Sequence, residues 1–462
     1  MDFVFYDIET TGLSPEFDQP LQFAAIRTDA RFAEEERVDI RCRLAPHILP
    51  SPKALVVTGV TPDRLTDPGL PSLLEFSQQV EALTERWAPA IWVGYNSMQF
   101  DEEVLRQTFY QNLSPNVYAT QFNGNTRFDM LPAVHATHVR DPDLLVWPED
   151  DADDTGRRNF KLDRLAPANG FDAHDAHDAL GDVEATIHIA RLISARNPAL
   201  WAELLDNARK ARVQAKLESF RPYELVTRFG GGEPRSHVGC FCGYSRDNGV
   251  QAAFFDLDAA DPAELLEASD EALFAAVDDT PKIIRRVPTN RAPALLEPRE
   301  TAAEHLRRAA IIAEAPEFRR RVGDAMAARF VEDPDEPPKP VERQIYGEFY
   351  SDADKRLLQA FRHASWPRRR EIVESLSDRR LRQLGRRLAA FHDPERPSAK
   401  QRAKFNGYLR DKWSAPDVPE TGWTTFAKAR AALDELRAQG SAAPHVLDAI
   451  AEFVEAWGAR GR

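Results

Sequence analysis

Residues 3–12 read Phe-Val-Phe-Tyr-Asp-Ile-Glu-Thr-Thr-Gly. The apolar run at 3–8 has the length of a buried strand, and Thr-Thr-Gly after it marks a turn. Side chains alternate along a strand, so Asp7 and Glu9 project from one face. Two carboxylates held that close repel each other unless a cation lies between them, and oxygen ligands of this kind suit Mg²⁺ or Mn²⁺. An acid pair with this spacing is commonplace on solvated surfaces. Here it ends an apolar strand, and the backbone of Thr10-Thr11-Gly12 is placed to approach a ligand closely.

Outward from this stretch, residues 20–28 and 38–44 read as further strands, giving a sheet with an antiparallel opening. Residues 90–95 read as a buried strand, and 71–87, 101–112, 129–138, 161–169 and 178–195 as helices. Strands and helices therefore mix over the first 195 residues, an α/β arrangement with a mixed sheet. Two more stretches carry chemistry. Gly94-Tyr-Asn-Ser-Met-Gln-Phe-Asp101 ends a strand and starts a helix, so Asp101 either faces the same cleft or caps the helix. His174-Asp-Ala-His177-Asp-Ala-Leu-Gly-Asp182 opens the helix at 178–195. His177 and Asp182 are five apart and do not share a face of one continuous helix. With His177 in the preceding turn, its imidazole reaches the cleft while Asp182 points at the metals. Neutral imidazole is abundant near pH 7 and takes a proton from water. His174 reads as an exposed loop residue, and the acidic run Glu149–Asp154 as a solvated loop.

Residues 198–218 read as a connecting helix. Residues 223–258 then change to short apolar runs broken at Gly230-Gly231-Gly232 and Asp247-Asn248-Gly249, the pattern of antiparallel strands with tight turns. Residues 282–285 read as one more strand and 300–330 as helical. Residues 333–340 form a polar, Pro-rich linker. Beyond it, breaks near Pro367, Pro394–Pro397, Pro416–Pro419 and Gly440 divide a bundle of about five helices over 345–460. The Gly triplet lacks the Gly-Lys-Thr ending of a phosphate-binding loop. No internal repeat is present.

Composition sets the bounds. A chain of 462 residues, 43% hydrophobic, has room for two to four ordinary cores. No apolar run reaches the ~18 residues of a membrane span, and the N-terminal stretch has neither the basic nor the long apolar segment of a secretory signal. The three cysteines, Cys42, Cys240 and Cys242, build no disulfide framework, and Cys240-Phe-Cys242 is too tight for a zinc knuckle. A reduced, cytoplasmic compartment is expected. The net charge of −14 hides an asymmetry. Residues 1–195 hold 16 Lys/Arg against 32 Asp/Glu, whereas 355–412 hold 17 against 6. A polyanion responds to the local field, and metal ions in an acidic site allow it to receive phosphate.

DIETTG (7–12), NSMQFD (96–101) and HDALGD (177–182), in this order and spacing, resemble the three motifs of the DEDD exonuclease superfamily. His five residues before the last Asp marks the His branch, DEDDh. The stretches DQPLQFAAIRTD (18–29), TGVTP (58–62), GYNSMQFDEEV (94–104), TRFDML (126–131), FKLDRLAPANG (160–170) and QIYGEFYSDAD (344–354) are similar to the bacterial exonuclease I family. That resemblance implies a ribonuclease H-like exonuclease domain at 1–195, an SH3-like β domain with flanking helices at 198–340 and a C-terminal helical domain at 344–462.

The resemblance implies single-strand-specific 3′→5′ hydrolysis of DNA to 5′-mononucleotides, in DNA repair and recombination. Asp7, Glu9, Asp101 and Asp182 would hold two Mg²⁺ ions, with Mn²⁺ as a substitute, and His177 would be the general base for the attacking water. Glu9, with Thr10, Thr11 and Gly12, would contact the terminal nucleotide. Arg106, Lys161 and Lys210 fall where the family contacts DNA. Lys161 stands where Arg is usual, which keeps the charge and loses bidentate phosphate contact. His135 stands where the family often has Arg. Arg127 and Asp129 read as a structural ion pair. The basic stretch at 355–412, with Trp366, Phe391, Phe405, Tyr408 and Trp413, either lines a single-strand channel or forms amphipathic helices with solvated arginines. Single-stranded DNA is the expected partner of a monomeric chain, and the family adds the acidic tail of single-stranded-DNA-binding protein, docked on a basic surface. The alternatives are a DEDDh exoribonuclease, a proofreading exonuclease and an inactive single-stranded-DNA-binding scaffold. The ~270 residues after the last motif argue against the first two, and the intact acids and His against the third.

Overall fold

The protein is described by a computed structural model that covers residues 1–149, 157–172, 178–328, 339–393, 398–418 and 421–459. His174, His177, most of the acidic run, residues 333–338 of the Pro-rich linker, Pro394–Pro397 and Pro419 lie outside the described residues.

The first sheet contains β1 (Asp2–Thr10), β2 (Pro20–Thr28), β3 (Glu34–Arg41), β4 (Ala90–Gly94) and β5 (Thr126–Asp129) in the order β3-β2-β1-β4-β5. β1 pairs antiparallel with β2 and parallel with β4, so the sheet is mixed and ribonuclease H-like, with β1 at its centre. The alternation of β1 decides what each face does. Val4, Tyr6 and Ile8 face one core, and Phe3 and Phe5 face another. Asp7 and Glu9 continue the Phe3–Phe5 face, so the strand changes from core to polar site at residue 7. The helix Ala179–Arg196 packs on that face through Val183, Ile187, Ala190 and Ile193. Its first turn meets the polar end of β1, which brings Asp182 to Asp7 and Glu9.

The opposite face is covered by the helices Leu73–Arg86 and Asp101–Gln111, and beyond them by the C-terminal helices. Leu358, Phe361, Leu384, Trp413, Leu433 and Trp457 share one continuous core with Tyr6, Phe23 and Trp92. The Trp457 indole N–H donates to the Ile48 carbonyl at 2.9 Å, so the last helix is anchored on the first part of the chain. The described C-terminal part has six helices, Asp352–His363, Trp366–Ser375, Arg379–His392, Ala399–Trp413, Phe426–Gln439 and Pro444–Ala459, one more than the sequence suggests. The break expected near Pro367 falls at Ala364-Ser365, and the additional one lies at 376–378, where the Asp378 side chain caps the helix Arg379–His392.

A second five-stranded sheet, fully antiparallel, contains β6 (Tyr223–Thr227), β7 (Arg235–Tyr244), β8 (Gln251–Asp256), β9 (Ile284–Pro288) and β10 (Leu295–Leu296) in the order β10-β6-β7-β8-β9. Gly239 has no room for a Cβ, which would lie 2.3 Å from the Phe255 carbonyl oxygen. Cys240 and Cys242 are buried and unpaired in this sheet's core.

Two further sequence expectations shift. The strand expected at 38–44 lies at Glu34–Arg41, because an edge strand with polar outer residues shows no apolar run. The connecting helix divides into Pro198–Asp206 and Lys210–Glu218 at the buried Asn207, whose amide donates to the carbonyls of Pro293 and Leu295 at 2.9 Å each. The first of these helices packs on the exonuclease-side core, with Trp201 5.4 Å from Phe128 ring to ring. No described helix is long and apolar enough to cross a membrane.

Candidate active site

Ligand atoms of Asp7, Glu9 and Asp182 lie within 4.8 Å of one another, all three side chains half-buried. Apolar packing fixes the two elements that carry these carboxylates. β1 is fixed between β2 and β4, and the helix carrying Asp182 is fixed by its apolar face. The electrostatic cost shows in the proton affinities. Burial, then Asp182 and Asp178, push Glu9 up to about 7. Burial, then the charges of Asp101, Asp182 and Glu9, push Asp7 well above the ordinary carboxylate range. A cluster of oxygen donors that resists ionisation in this way is a fit receptor for a hard divalent cation.

Asp101 arrives from a different element. β4 ends at Gly94, where a Cβ would lie 2.5 Å from the Ser97 Cβ, and the chain turns through Asn96 with φ +60°. The Asp129 carboxylate accepts the backbone N–H groups of Asn96 at 2.8 Å, Met98 at 3.1 Å and Leu131 at 3.0 Å. The turn is thereby fixed, and Asp101 becomes the first residue of the helix Asp101–Gln111, with Phe100 at the cap position. Asp101 is buried and outside the tight group of three, yet its charge is felt at Asp7. Burial, then Asp129 and Glu9, raise its pKa well above the usual value, partly offset by its own backbone N–H.

The Thr10-Thr11-Gly12 turn is pinned by its own hydrogen bonds. Thr10 Oγ1 donates to the Gly12 carbonyl at 2.6 Å, and Thr11 Oγ1 to Asp18 at 2.9 Å. A Cβ on Gly12 would lie 2.5 Å from the Asp18 carboxylate, which explains glycine there. Leu13, next along, is 89% exposed. Asp178 stands at the N-cap position of the other motif's helix, but its side chain makes no capping hydrogen bond; it accepts from Gln22 and Arg41 at 3.0 Å each. The helix carrying Asp182 starts at Ala179, and the expected turn with His177 lies outside the described residues.

The cations expected to meet DNA divide into two kinds. Lys161 and Lys210 are exposed. Arg106 is buried and engaged with Glu103 at 2.7 Å, Glu102 at 3.7 Å, the Tyr346 hydroxyl at 3.2 Å and the Tyr118 ring. Arg127 and Asp129 do not pair with each other. Arg127 pairs with the buried Glu102 at 2.8 Å, and Asp129 holds the 96–98 turn. The Glu102 carboxylate also accepts from the hydroxyls of Tyr6 and Thr120 at 2.9 Å each. Burial opposes its charge, but Arg127 and Arg106 hold its pKa below the ordinary value. Neither Glu102 nor Asp178 stands out in the sequence, beyond following Asp101 and His177 of the motifs. His135 is buried edge-on to Phe160, 5.0 Å ring to ring, and burial lowers its pKa to about 3.

In the basic stretch, Arg362, Arg368, Arg370, Arg380, Arg386 and Arg387 form ion pairs with acids of this chain. Trp413 is core, Phe391 stacks on His47, and Trp366 stacks on His392. Phe405, Tyr408, Arg386, Arg387 and Lys412 line a cavity of about 1170 Å³ between the C-terminal helices and Phe17.

This architecture has known counterparts. Residues 4–190 match the Exonuclease family and residues 339–457 the Exonuclease I C-terminal domain family. Exodeoxyribonuclease I of Escherichia coli (strain K12) is 31% identical over 382 residues, covering 77% of this chain and 78% of the relative. The crystal structure of E. coli exonuclease I in complex with a dA16 oligonucleotide superposes with a TM-score of 0.82 at 26% identity, over 99% of both chains. A crystal structure of SSB/exonuclease I in complex with the inhibitor CFAM gives 0.81 at 27% identity, again over 99% of both. The likeness spans both sheets and the C-terminal helices as well as the acidic cluster, and the chain belongs to the exodeoxyribonuclease I family of exonucleases.

Proposed function

We propose that the protein digests single-stranded DNA from the 3′ end and releases 5′-mononucleotides, with Asp7, Glu9, Asp182 and Asp101 as ligands for two Mg²⁺ ions. The observation that carries this reading is the convergence of Asp7, Glu9 and Asp182 from two elements, with the Asp101 charge beside them. The carboxylates supply oxygen donors only, which suits Mg²⁺ or Mn²⁺ over softer ions. Bound divalent ions supply water activation and neutralise charge on the leaving oxygen. His177 is the general base in this reading, taking the proton of the attacking water at a ring nitrogen. Glu9, with the Thr10-Thr11-Gly12 turn, receives the terminal nucleotide, and the exposed Lys161 and Lys210 meet the phosphate backbone. Arg106 serves a structural role in the DNA-free protein and meets phosphate only if Glu103 releases it.

The binding of dA16 by the E. coli relative supports a single-stranded substrate. The SSB/exonuclease I structure supports docking of the single-stranded-DNA-binding protein as a second partner. Domain boundaries at 1–195, 198–340 and 344–462 accord with the two family matches at 4–190 and 339–457, with the helix Pro198–Asp206 packed back on the first core. The test is digestion of end-labelled oligonucleotides, comparing each polarity, single against double strands, and DNA against RNA, with and without chelator. Stepwise, chelator-sensitive loss of 3′ mononucleotides from single-stranded DNA is expected. Equal digestion of RNA would favour the exoribonuclease reading instead.

A further inference from the structure

The helix that delivers Asp182 is preceded by Asp178, and Asp178 is tied to the sheet edge by a closed ring of side chains. Gln22, on β2, is buried, and its amide nitrogen donates to Asp178 Oδ1 and to Asp39 Oδ1 at 3.0 Å each. Arg41, on β3, donates from Nη2 to the same Asp178 Oδ1 at 3.0 Å and stands 3.6 Å from Asp39. Gln22 is the register partner of Glu9 on one side and of Arg41 on the other. The ring therefore joins the strand position opposite Glu9 to the start of the helix carrying Asp182. The Asp178 carbonyl closes the connection by accepting the Asp182 N–H at 3.1 Å.

We propose that Arg41 and Gln22 are positioning residues for the metal-binding carboxylates: by fixing Asp178 they set where Asp182 stands relative to Asp7 and Glu9, and so set divalent-cation affinity. This rests on the metal reading above. A purely electrostatic role predicts the opposite sign at Arg41. Removing its positive charge leaves Asp39, Asp178, Asp182, Asp7 and Glu9 with a more negative field, which alone would tighten cation binding. Loosening the helix start weakens binding, because hydrogen-bond partners that orient metal ligands are worth about 10–100-fold in affinity. Gln22→Ala changes no charge and isolates the geometric effect.

The test is Mn²⁺ titration of the full chain without DNA, by calorimetry or by electron paramagnetic resonance. Wild type, Arg41→Ala, Arg41→Lys and Gln22→Ala are compared, with thermal melts alongside. Arg41→Ala and Gln22→Ala are expected to raise the Mn²⁺ Kd about tenfold. Arg41→Lys is expected to fall between them and wild type. The Mg²⁺ half-saturation for digestion rises in parallel, while kcat at saturating Mg²⁺ returns to within about twofold of wild type. If Gln22→Ala does not fold, the half-exposed Arg41 carries the test. An unchanged or lower Kd in Arg41→Ala overturns the proposal. A wild-type chain that binds no Mn²⁺ overturns the metal reading itself, and this inference with it.

Discussion

The Asp129 carboxylate accepts the backbone N–H of Asn96 at 2.8 Å across a sequence gap of 33 residues, and with the Met98 N–H it holds the turn that delivers Asp101. The turn needs such a hold. Asn96 sits in the left-handed region, and no apolar side chain of 95–97 other than the half-buried Tyr95 anchors it. Asp129→Ala leaves the buried Met98 N–H without that acceptor, a cost of about 1–3 kcal/mol, and frees the part-buried N–H groups of Asn96 and Leu131 as well. The expected outcome is a lower melting temperature together with a turnover loss larger than tenfold. Chemical denaturation and single-turnover digestion on one protein preparation check both.

The acidic cluster makes the metal-free protein sensitive to pH in an unusual direction. Glu9 has a folded pKa of about 7 against an ordinary value of 4.5. Between those values the folded state binds more protons than the unfolded state, so this group's contribution to stability falls as pH rises through the window. A divalent ion replaces the proton and removes the penalty. The stabilisation by Mg²⁺, measured as the melting temperature with Mg²⁺ minus that with chelator, should therefore grow from pH 6 to pH 8. A difference that shrinks over this range would contradict the assignment of Glu9 to the metal site.

Glu102 shows what the linear sequence conceals. It neighbours Asp101, yet it faces away from the metal group and gathers Tyr6, Thr120 and Arg127, which lie 96, 18 and 25 residues distant. Its partners come together only once β1, β5 and the helix Asp101–Gln111 are assembled. Asp7 and Glu9 were readable because strand alternation is local, and Asp182 because its helix begins where the motif does. Arg106 read as a DNA contact because its motif position says so, whereas in the fold it is engaged by Glu103, one turn earlier on its own helix, and by Tyr346, 240 residues away. The Arg127–Asp129 pairing failed for the same reason: the two stand two apart on β5, but each is taken by a group distant in the chain, Arg127 by Glu102 and Asp129 by the backbone of the 96–98 turn. β3 was misplaced because an edge strand carries polar residues outward.

Replacing Glu102 by Gln leaves Arg127, itself buried, without its carboxylate. Breaking a buried pair from one side costs about 3–5 kcal/mol, because the remaining charge stays desolvated. Arg127→Met on its own should be of similar cost, and the double variant should recover part of it. A double-mutant cycle by urea denaturation gives the coupling, and strictly additive losses would show that the pair is not one unit.

The roles of metal ligand and general base separate experimentally. Asp182→Asn removes one oxygen donor's charge from the group formed with Asp7 and Glu9, so both Mn²⁺ binding and turnover should fall, the latter by orders of magnitude. His177→Ala takes away no ligand in the proposed site. It should therefore keep Mn²⁺ affinity within about threefold and bind a single-stranded oligonucleotide almost as wild type does, while its single-turnover rate drops by about 10²–10⁴. A general base also leaves a pH signature. The wild-type rate should rise with pH as the imidazole loses its proton, and His177→Ala should lack that limb. Turnover equal to wild type in His177→Ala would remove the residue from the mechanism, and loss of Mn²⁺ binding in the same variant would move it from base to ligand.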